Sequence, residues 1–161
     1  DTLITIQIDF QLAERFGMEY VDSDGTKKYP YVIHRTSIGC YERTLALLLE
    51  KYAGALPTWL APIQVKVLPI SDHYMEYANS VSEELQKVGI RVEVDTRKEK
   101  IGYKIREAQL EKGPYMLIVG EKEQAEGAVS VRDRKEGDTG SVKLNEFIDT
   151  ILKKVASKSK D

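Results

Sequence analysis

A connector bounded by prolines divides the chain into two parts with different apolar patterns. It runs from Leu56 to Pro62, and because Pro57 and Pro62 each fix the backbone angle φ, we expect an ordered linker. Before it, apolar residues recur at every second position; after it, strand patterns alternate with helix patterns. This change predicts a domain boundary, with one domain over residues 1–61 and a second over residues 62–161.

The first part has the pattern of an antiparallel sheet. Apolar and polar residues alternate from Ile4 to Phe10, which is the period of a strand with one apolar face. Further strands are predicted over 18–21 and 29–34, and a helix over 39–53. Three strands and one helix are too little to cover both faces of a sheet, so we expect these residues to be a piece of a larger domain.

The second part has the pattern of an α/β domain. Alternating strands and helices predict mainly parallel strands that are joined by crossover helices. Residues 115–119 are almost all apolar, which indicates a strand buried on both faces. Strands are predicted over 63–70, 90–94, 115–119 and 125–132, a turn over 137–140, and helices over 72–88, 101–112 and 142–155.

Composition narrows the class of protein. The chain has 161 residues, with 24 basic and 26 acidic residues and a net charge of −2. This balance argues against a protein that coats nucleic acid by bulk charge, but it leaves room for a local basic face. No apolar stretch reaches the roughly 18 residues of a membrane span, and no secretory signal is visible. The single cysteine, Cys40, favours a reducing compartment, so we expect a cytoplasmic protein.

The common catalytic motifs are absent from the sequence. There is no glycine-rich phosphate loop, no Gly-x-Ser-x-Gly, no Cys-x-x-Cys and no His-Glu-x-x-His. The two histidines, His34 and His73, and the cysteine have no spacing that indicates a metal site. The residues by themselves therefore predict an α/β domain with a fragment of another domain in front of it.

Four blocks of sequence, in order, resemble the threonyl-tRNA synthetases, a family of class II aminoacyl-tRNA synthetases. His34–Arg43 resembles motif 3 of these enzymes, and Thr5–Phe10 resembles the strand before it. Tyr52–Pro62 resembles the junction to their anticodon-binding domain, and Glu99–Arg106 the centre of that domain. The resemblance implies a C-terminal fragment of the class II catalytic domain, with the motif 3 strand and helix. An anticodon-binding domain follows, with fold class α/β and a mixed, mostly parallel five-stranded sheet flanked by helices.

The resemblance places four residues of the first part in the catalytic domain's substrate pocket. Arg43 would hold the triphosphate of ATP, because a guanidinium donates two parallel hydrogen bonds; the alternative is an ion pair with Glu42 or a nearby carboxylate. Gln7 and Thr5 would line the threonine pocket, and their alternative is a polar sheet face in water. His34 matches the last of three zinc ligands, whose partners lie upstream. In this chain alone we expect an unmetallated histidine.

In the second part, the resemblance places Lys98, Arg106, Glu123 and Arg132 against the tRNA anticodon. An acid beside RNA is favourable only where it accepts a hydrogen bond from a base edge, and Arg132 can donate two parallel bonds or stack on a base. Lys98 stands where the family usually has asparagine, and an ammonium cannot accept hydrogen bonds as an amide does. The base contact there is open, and the alternative for all four is a solvated, salt-bridged face.

The main functional hypothesis is the C-terminal portion of a threonine–tRNA ligase that recognises the anticodon of threonine tRNA. The parent enzyme would form threonyl-adenylate from threonine and ATP and transfer threonine to tRNA, as a homodimer with zinc and magnesium-ATP. Because motifs 1 and 2 are absent from this chain, we expect it to be inactive alone and to bind neither cofactor. The alternatives are a non-catalytic RNA-binding or regulatory paralogue and a flavodoxin-like small-molecule binder. None of these involves a membrane.

Overall fold

The computed structural model describes residues 5–36 and 38–160. It divides into two compact units, residues 1–50 and residues 51–161. The domain boundary that the sequence places after residue 61 stays a prediction. None of the helices in the described ranges is long and apolar enough to cross a membrane.

The first unit contains two small antiparallel pairs of strands. The alternating pattern predicted antiparallel strands, but it placed three of them in one sheet and did not predict β3 or the short helix α1. β1 pairs with β4, so that Gln7 lies opposite His34 and Ile8 opposite Ile33. β2 and β3 form a hairpin, and its turn is held by the ammonium of Lys28, which contacts two aspartates. The elements are β1 (Ile6–Asp9), α1 (Leu12–Arg15), β2 (Tyr20–Val21), β3 (Lys27–Lys28), β4 (Val32–Arg35) and α2 (Tyr41–Tyr52).

The apolar side chains of this first unit are largely exposed. Ile6 and Ile8, on the apolar face of β1, are 67% and 54% exposed, and Ile33 on β4 is 65% exposed. Ala13 is the one buried residue among those that the structure describes within residues 5–50. Because apolar side chains stabilise a fold only when they leave water, the first unit gains little free energy of folding from a core of its own.

The second unit is built on a five-stranded mixed sheet in the order β6-β5-β7-β8-β9. β6, β5 and β7 are parallel, whereas β8 is antiparallel to both of its neighbours. This confirms the mixed, mostly parallel sheet flanked by helices. The strands are β5 (Val65–Pro69), β6 (Val92–Val94), β7 (Tyr115–Val119), β8 (Ala128–Asp133) and β9 (Gly137–Lys143).

In the second unit, two elements differ in kind from the sequence prediction. The segment expected to be a turn at 137–140 is the start of strand β9, because it pairs with β8. Gly137 and Gly140 adopt positive φ there, and the register of the pairing shifts beside them. The strand predicted from residue 125 begins at Ala128, and a short helix, α5 (Glu121–Glu126), precedes it.

Helices cover the two faces of the sheet unequally. One face packs against α3 and α6 in a large core that includes Val67, Leu117, Val129 and Phe147. The other face has a small core in which Ile101, Ile105 and Ala108 of α4 pack on Leu68, Met116 and Ile118, and no residue of β8 or β9 belongs to it. The helices are α3 (Met75–Lys87), which follows a turn of 3-10 helix at Asp72–Tyr74, α4 (Ile101–Leu110) and α6 (Leu144–Ser157).

Side chains of the second unit hold the connector that precedes β5. Gln64 is fully buried, and its side chain donates to the Thr58 carbonyl at 2.9 Å and accepts from the Arg91 backbone N–H at 2.9 Å. The Arg91 guanidinium donates to the carbonyls of Ala61 and Trp59. The connector is therefore fixed by buried hydrogen bonds as well as by its prolines.

Replacing Gln64 by leucine tests this arrangement. Gln64→Leu removes two buried hydrogen bonds, so we expect it to lower the free energy of unfolding by about 2 kcal/mol, as measured by urea denaturation. The matched control is Gln124→Leu at an exposed position on α5, with an expected change below about 0.5 kcal/mol. Equal stability of the two variants would contradict the proposed role of Gln64.

Candidate nucleic-acid interface

Helix α4 forms one wall of the candidate interface. Lys104 and Glu111 lie on its flank toward β5 and β6, because they contact Pro69, Asp95 and Lys66. Successive helical residues are rotated by about 100°, so Arg106 lies on the side of α4 away from Lys104. Its side chain is exposed.

Arg132 lies on the sheet face that α4 leaves uncovered. It pairs with Met116 on β7 and Asp138 on β9, and strand alternation puts its side chain on the face of Met116. Its Nε is buried and has no hydrogen-bond partner among the residues that the structure describes. A buried N–H without an acceptor is costly, and an acceptor on a ligand would satisfy it.

Small polar residues form the floor beside Arg132. Ser130 pairs with Ile118 on β7 and with Ser141 on β9, which puts both serines on the face of Arg132. Ser130 is half-buried and Ser141 is exposed. The sequence analysis did not predict these serines as site residues, because it placed no strand at β9. The alternation of Ser130 and Arg132 with Val129 and Val131 does indicate that Ser130 shares a sheet face with Arg132.

Lys98 and Glu123 lie at the carboxyl edge of the parallel strands. The ammonium of Lys98, in the loop after β6, is 3.2 Å from the carboxylate of Asp72, which follows β5. Glu123 follows β7 in the first turn of α5, where its Oε2 accepts a hydrogen bond from the Gly120 N–H at 3.1 Å. Since Gly120 has no side chain, this bond is the whole of the helix cap. Each residue thus has a local partner.

The four anticodon candidates therefore form two pairs. Arg106 and Arg132 border the uncovered face, whereas Lys98 and Glu123 occupy the edge. Arg132 is level with Met116, and the edge begins at Gly120, which is about 13 Å further along β7 at about 3.3 Å per residue. A ligand that contacts both pairs must span this distance, as a stretch of several nucleotides could.

A half-buried tyrosine on α3 bonds to the backbone at this edge. The Tyr77 hydroxyl on α3 donates to the Ala128 carbonyl at 2.8 Å, at the start of β8. Burial, and then the negative charge of Glu123, raise the pKa of Tyr77, so it stays a neutral donor near pH 7.

The four candidates of the first unit include a cross-strand group. Gln7 faces His34 across β1 and β4, and the Thr5 N–H donates to Thr36 Oγ1 at 3.3 Å. A cleft of about 820 Å³ lies against Gln7 and His34. Arg43 is exposed in the first turn of α2, where the sequence analysis expected it.

The residues around His34 do not by themselves fit a zinc site. A catalytic zinc takes three protein ligands. Within residues 5–36 and 38–160, no three histidine, cysteine, aspartate or glutamate side chains lie close enough to hold a metal. The Cys40 thiol donates to the Glu42 carboxylate, which lowers the pKa of that carboxyl. Any zinc at His34 would need ligands from beyond these described residues.

Two family models match separate parts of the chain. A family model described as "Anticodon binding domain" matches residues 64–154. The chain belongs to the anticodon-binding domain family. A second model, described as "tRNA synthetase class II core domain (G, H, P, S and T)", matches residues 2–52.

Similar proteins match over nearly the whole chain. The threonine–tRNA ligase of Clostridium perfringens (strain SM101 / Type A) is 65% identical over 158 residues, which are 98% of this chain and 25% of that protein. The ligase of Clostridium botulinum (strain Eklund 17B / Type B) is 63% identical over 99% of this chain, again 25% of that protein. This chain thus spans about a quarter of the length of these relatives.

A solved structure agrees with both the sequence similarity and the fold. The crystal structure of the RNA binding domain of threonyl-tRNA synthetase from Cryptosporidium parvum Iowa II has a TM-score of 0.77 and 39% identity. The match covers 95% of this chain and 39% of that chain. Together these matches confirm the resemblance to the threonyl-tRNA synthetases.

The helix cap at Glu123 gives a test of the edge. Glu123→Ala leaves the Gly120 N–H without its acceptor, so we expect a loss of about 1 kcal/mol in the free energy of unfolding. Glu123→Gln keeps a carbonyl acceptor and should recover most of that loss. The control is Glu126→Ala, an exposed glutamate in the same helix, with little expected change. If the three variants have the same urea midpoint, the Glu123 side chain does not stabilise the start of α5.

Proposed function

We propose that this chain is the C-terminal part of a threonine–tRNA ligase and that its second unit recognises the anticodon of threonine tRNA. The observation that carries the proposal is the Nε of Arg132, which is buried and has no hydrogen-bond partner among the described residues. It lies on the part of the sheet face that α4 does not cover. The matches to threonine–tRNA ligases run through both units, which favours a ligase over a non-catalytic RNA-binding or regulatory paralogue.

The uncovered face suits unstacked bases. Sequence-specific recognition of single-stranded RNA bonds splayed bases along their edges and stacks them on flat groups. Arg132 supplies a planar donor for the two acceptors of a guanine edge. Ser130 and Ser141 are small enough to let a base approach the sheet, and their hydroxyls both donate and accept. Arg106 adds a cation on the facing wall, suited to a phosphate or a base.

The edge of the sheet extends the same surface. Glu123 would accept a hydrogen bond from an exocyclic amino group while it keeps its bond to Gly120. Lys98 would exchange its exposed ion pair with Asp72 for a phosphate or a base carbonyl, and such an exchange costs little because exposed ion pairs contribute about 0–1 kcal/mol.

The parent enzyme would activate threonine with ATP and transfer it to tRNA. Arg43 would hold the triphosphate, Gln7 and Thr5 would line the threonine pocket, and His34 would be one of three zinc ligands. Zinc would select the threonine hydroxyl, and magnesium would accompany ATP. We further propose a cytoplasmic, homodimeric parent and an inactive isolated chain, because motifs 1 and 2 lie outside these residues.

Arg132 provides the direct test. Arg132→Ala should weaken binding to the threonine-tRNA anticodon stem-loop by about 1–3 kcal/mol, because it removes donors to a base edge. Binding is measured by titration at fixed salt, with stem-loops altered at each anticodon position. The control is Lys153→Ala on α6, an exposed cation on another element, with an expected change below about twofold.

Two results would reject the role of Arg132. One is unchanged affinity in the folded Arg132→Ala variant. The other is an equal loss toward an unrelated stem-loop, which would reduce the residue to general attraction of phosphates.

A further inference from the structure

Lys104 on α4 is a buried lysine whose ammonium bonds to backbone carbonyls and not to a carboxylate. It is 2% exposed, and its Nζ donates to the backbone carbonyls of Pro69 and Asp95, both at 3.2 Å. No carboxylate oxygen of the described ranges lies within ion-pair distance of this ammonium. The other buried lysine, Lys66, is 7% exposed and contacts Glu111 at 2.6 Å and Glu93 at 3.2 Å.

Stability does not explain a buried ammonium of this kind. Moving a charge out of water costs several kcal/mol, and two long bonds to neutral carbonyls offset only part of that. An apolar side chain of similar volume at such a position is often neutral or stabilising. A role in positioning other groups, and not in stabilising the fold, would account for a lysine at this position.

The two carbonyls identify what Lys104 holds together. Pro69 ends β5, and Asp95 begins the loop of residues 95–100 between β6 and α4. Lys104 therefore ties this loop to the end of the neighbouring strand. The same loop carries Lys98, which reaches Asp72 beyond the end of β5.

Further hydrogen bonds hold the loop around this contact. The Asp95 N–H donates to the Val67 carbonyl at 2.9 Å. The Asp95 carboxylate, itself buried, accepts from the Arg97 guanidinium at 3.0 and 2.6 Å and from the Arg97 N–H at 3.0 Å. The hydrogen bonds from Arg97 come first, and the charge of Lys104 adds to them, in holding the pKa of Asp95 below its ordinary value.

We propose that Lys104 is a positioning residue of the RNA-binding edge, whose buried ammonium fixes the 95–100 loop so that Lys98 is presented to the anticodon. This inference rests on the proposed function. Lys104 does not touch RNA, and it acts through the loop that it holds.

Lys104→Met tests the inference in the full chain. The variant removes the charge and keeps a similar volume, so the urea midpoint should stay the same or rise. Affinity for the threonine-tRNA anticodon stem-loop should fall roughly tenfold, which is the usual effect of losing a supporting contact behind a binding group. In the double variant with Lys98→Ala, the two losses should not add, because both act through Lys98.

The matched control is Lys66→Met. Lys66 is on β5 and contacts Glu111 at the end of α4, on the side of the helix away from Arg106. Its replacement leaves the carboxylates of Glu93 and Glu111 without their cation. We expect it to lower the urea midpoint while affinity for the stem-loop stays within about twofold of the unaltered chain.

The outcomes separate this inference from the function on which it rests. If the unaltered chain does not prefer the threonine-tRNA stem-loop over its anticodon variants, the proposed function fails. If it does, but folded Lys104→Met binds equally well or its loss adds fully to that of Lys98→Ala, the positioning role is overturned. If Lys104→Met does not fold, Lys104→Gln takes its place. Failure of both to fold would make the lysine structural and also overturn the role.

Discussion

The unequal covering of one sheet determines the rest of this structure. α3 and α6 bury one face across its width, whereas α4 covers the other face only over β5 and β7. The second face of β8 and β9 therefore lies outside both cores, and polar side chains occupy it. This is where Ser130, Arg132 and Ser141 lie.

The two ends of α4 each have a buried lysine nearby, and the two lysines have different partners. Lys66 lies near its last turn and is neutralised by two glutamates. Lys104, near its first turn, bonds only to carbonyls at the carboxyl edge of β5 and β6. Its positive charge, which also acts on the Asp95 carboxylate, lies on the side of the sheet where an anionic partner is proposed to bind, whereas Lys66 is paired with carboxylates within the fold.

Local patterns predicted the parts of the fold that depend on burial, and tertiary pairing decided the parts that the sequence analysis missed. β7 was predicted because its residues are nearly all apolar, as a strand buried on both faces requires. β9 was not, because Gly137 and Gly140 are typical of a turn, and only pairing with β8 makes the segment a strand. α5 is too short to show helical periodicity. Lys104 looks like any exposed helical lysine until its neighbours are known, whereas Arg106 and Arg132 came from the family resemblance.

The central claim is that RNA binds the uncovered face beside α4, and NMR shift mapping tests it most directly. Amide and arginine side-chain resonances of the full chain would be followed while the threonine-tRNA anticodon stem-loop is added at fixed salt. The account predicts saturable changes centred on Arg106, Ser130, Arg132 and Ser141, with smaller changes over the 95–100 loop. Changes centred on α3 and α6, with the uncovered face unaffected, would contradict it.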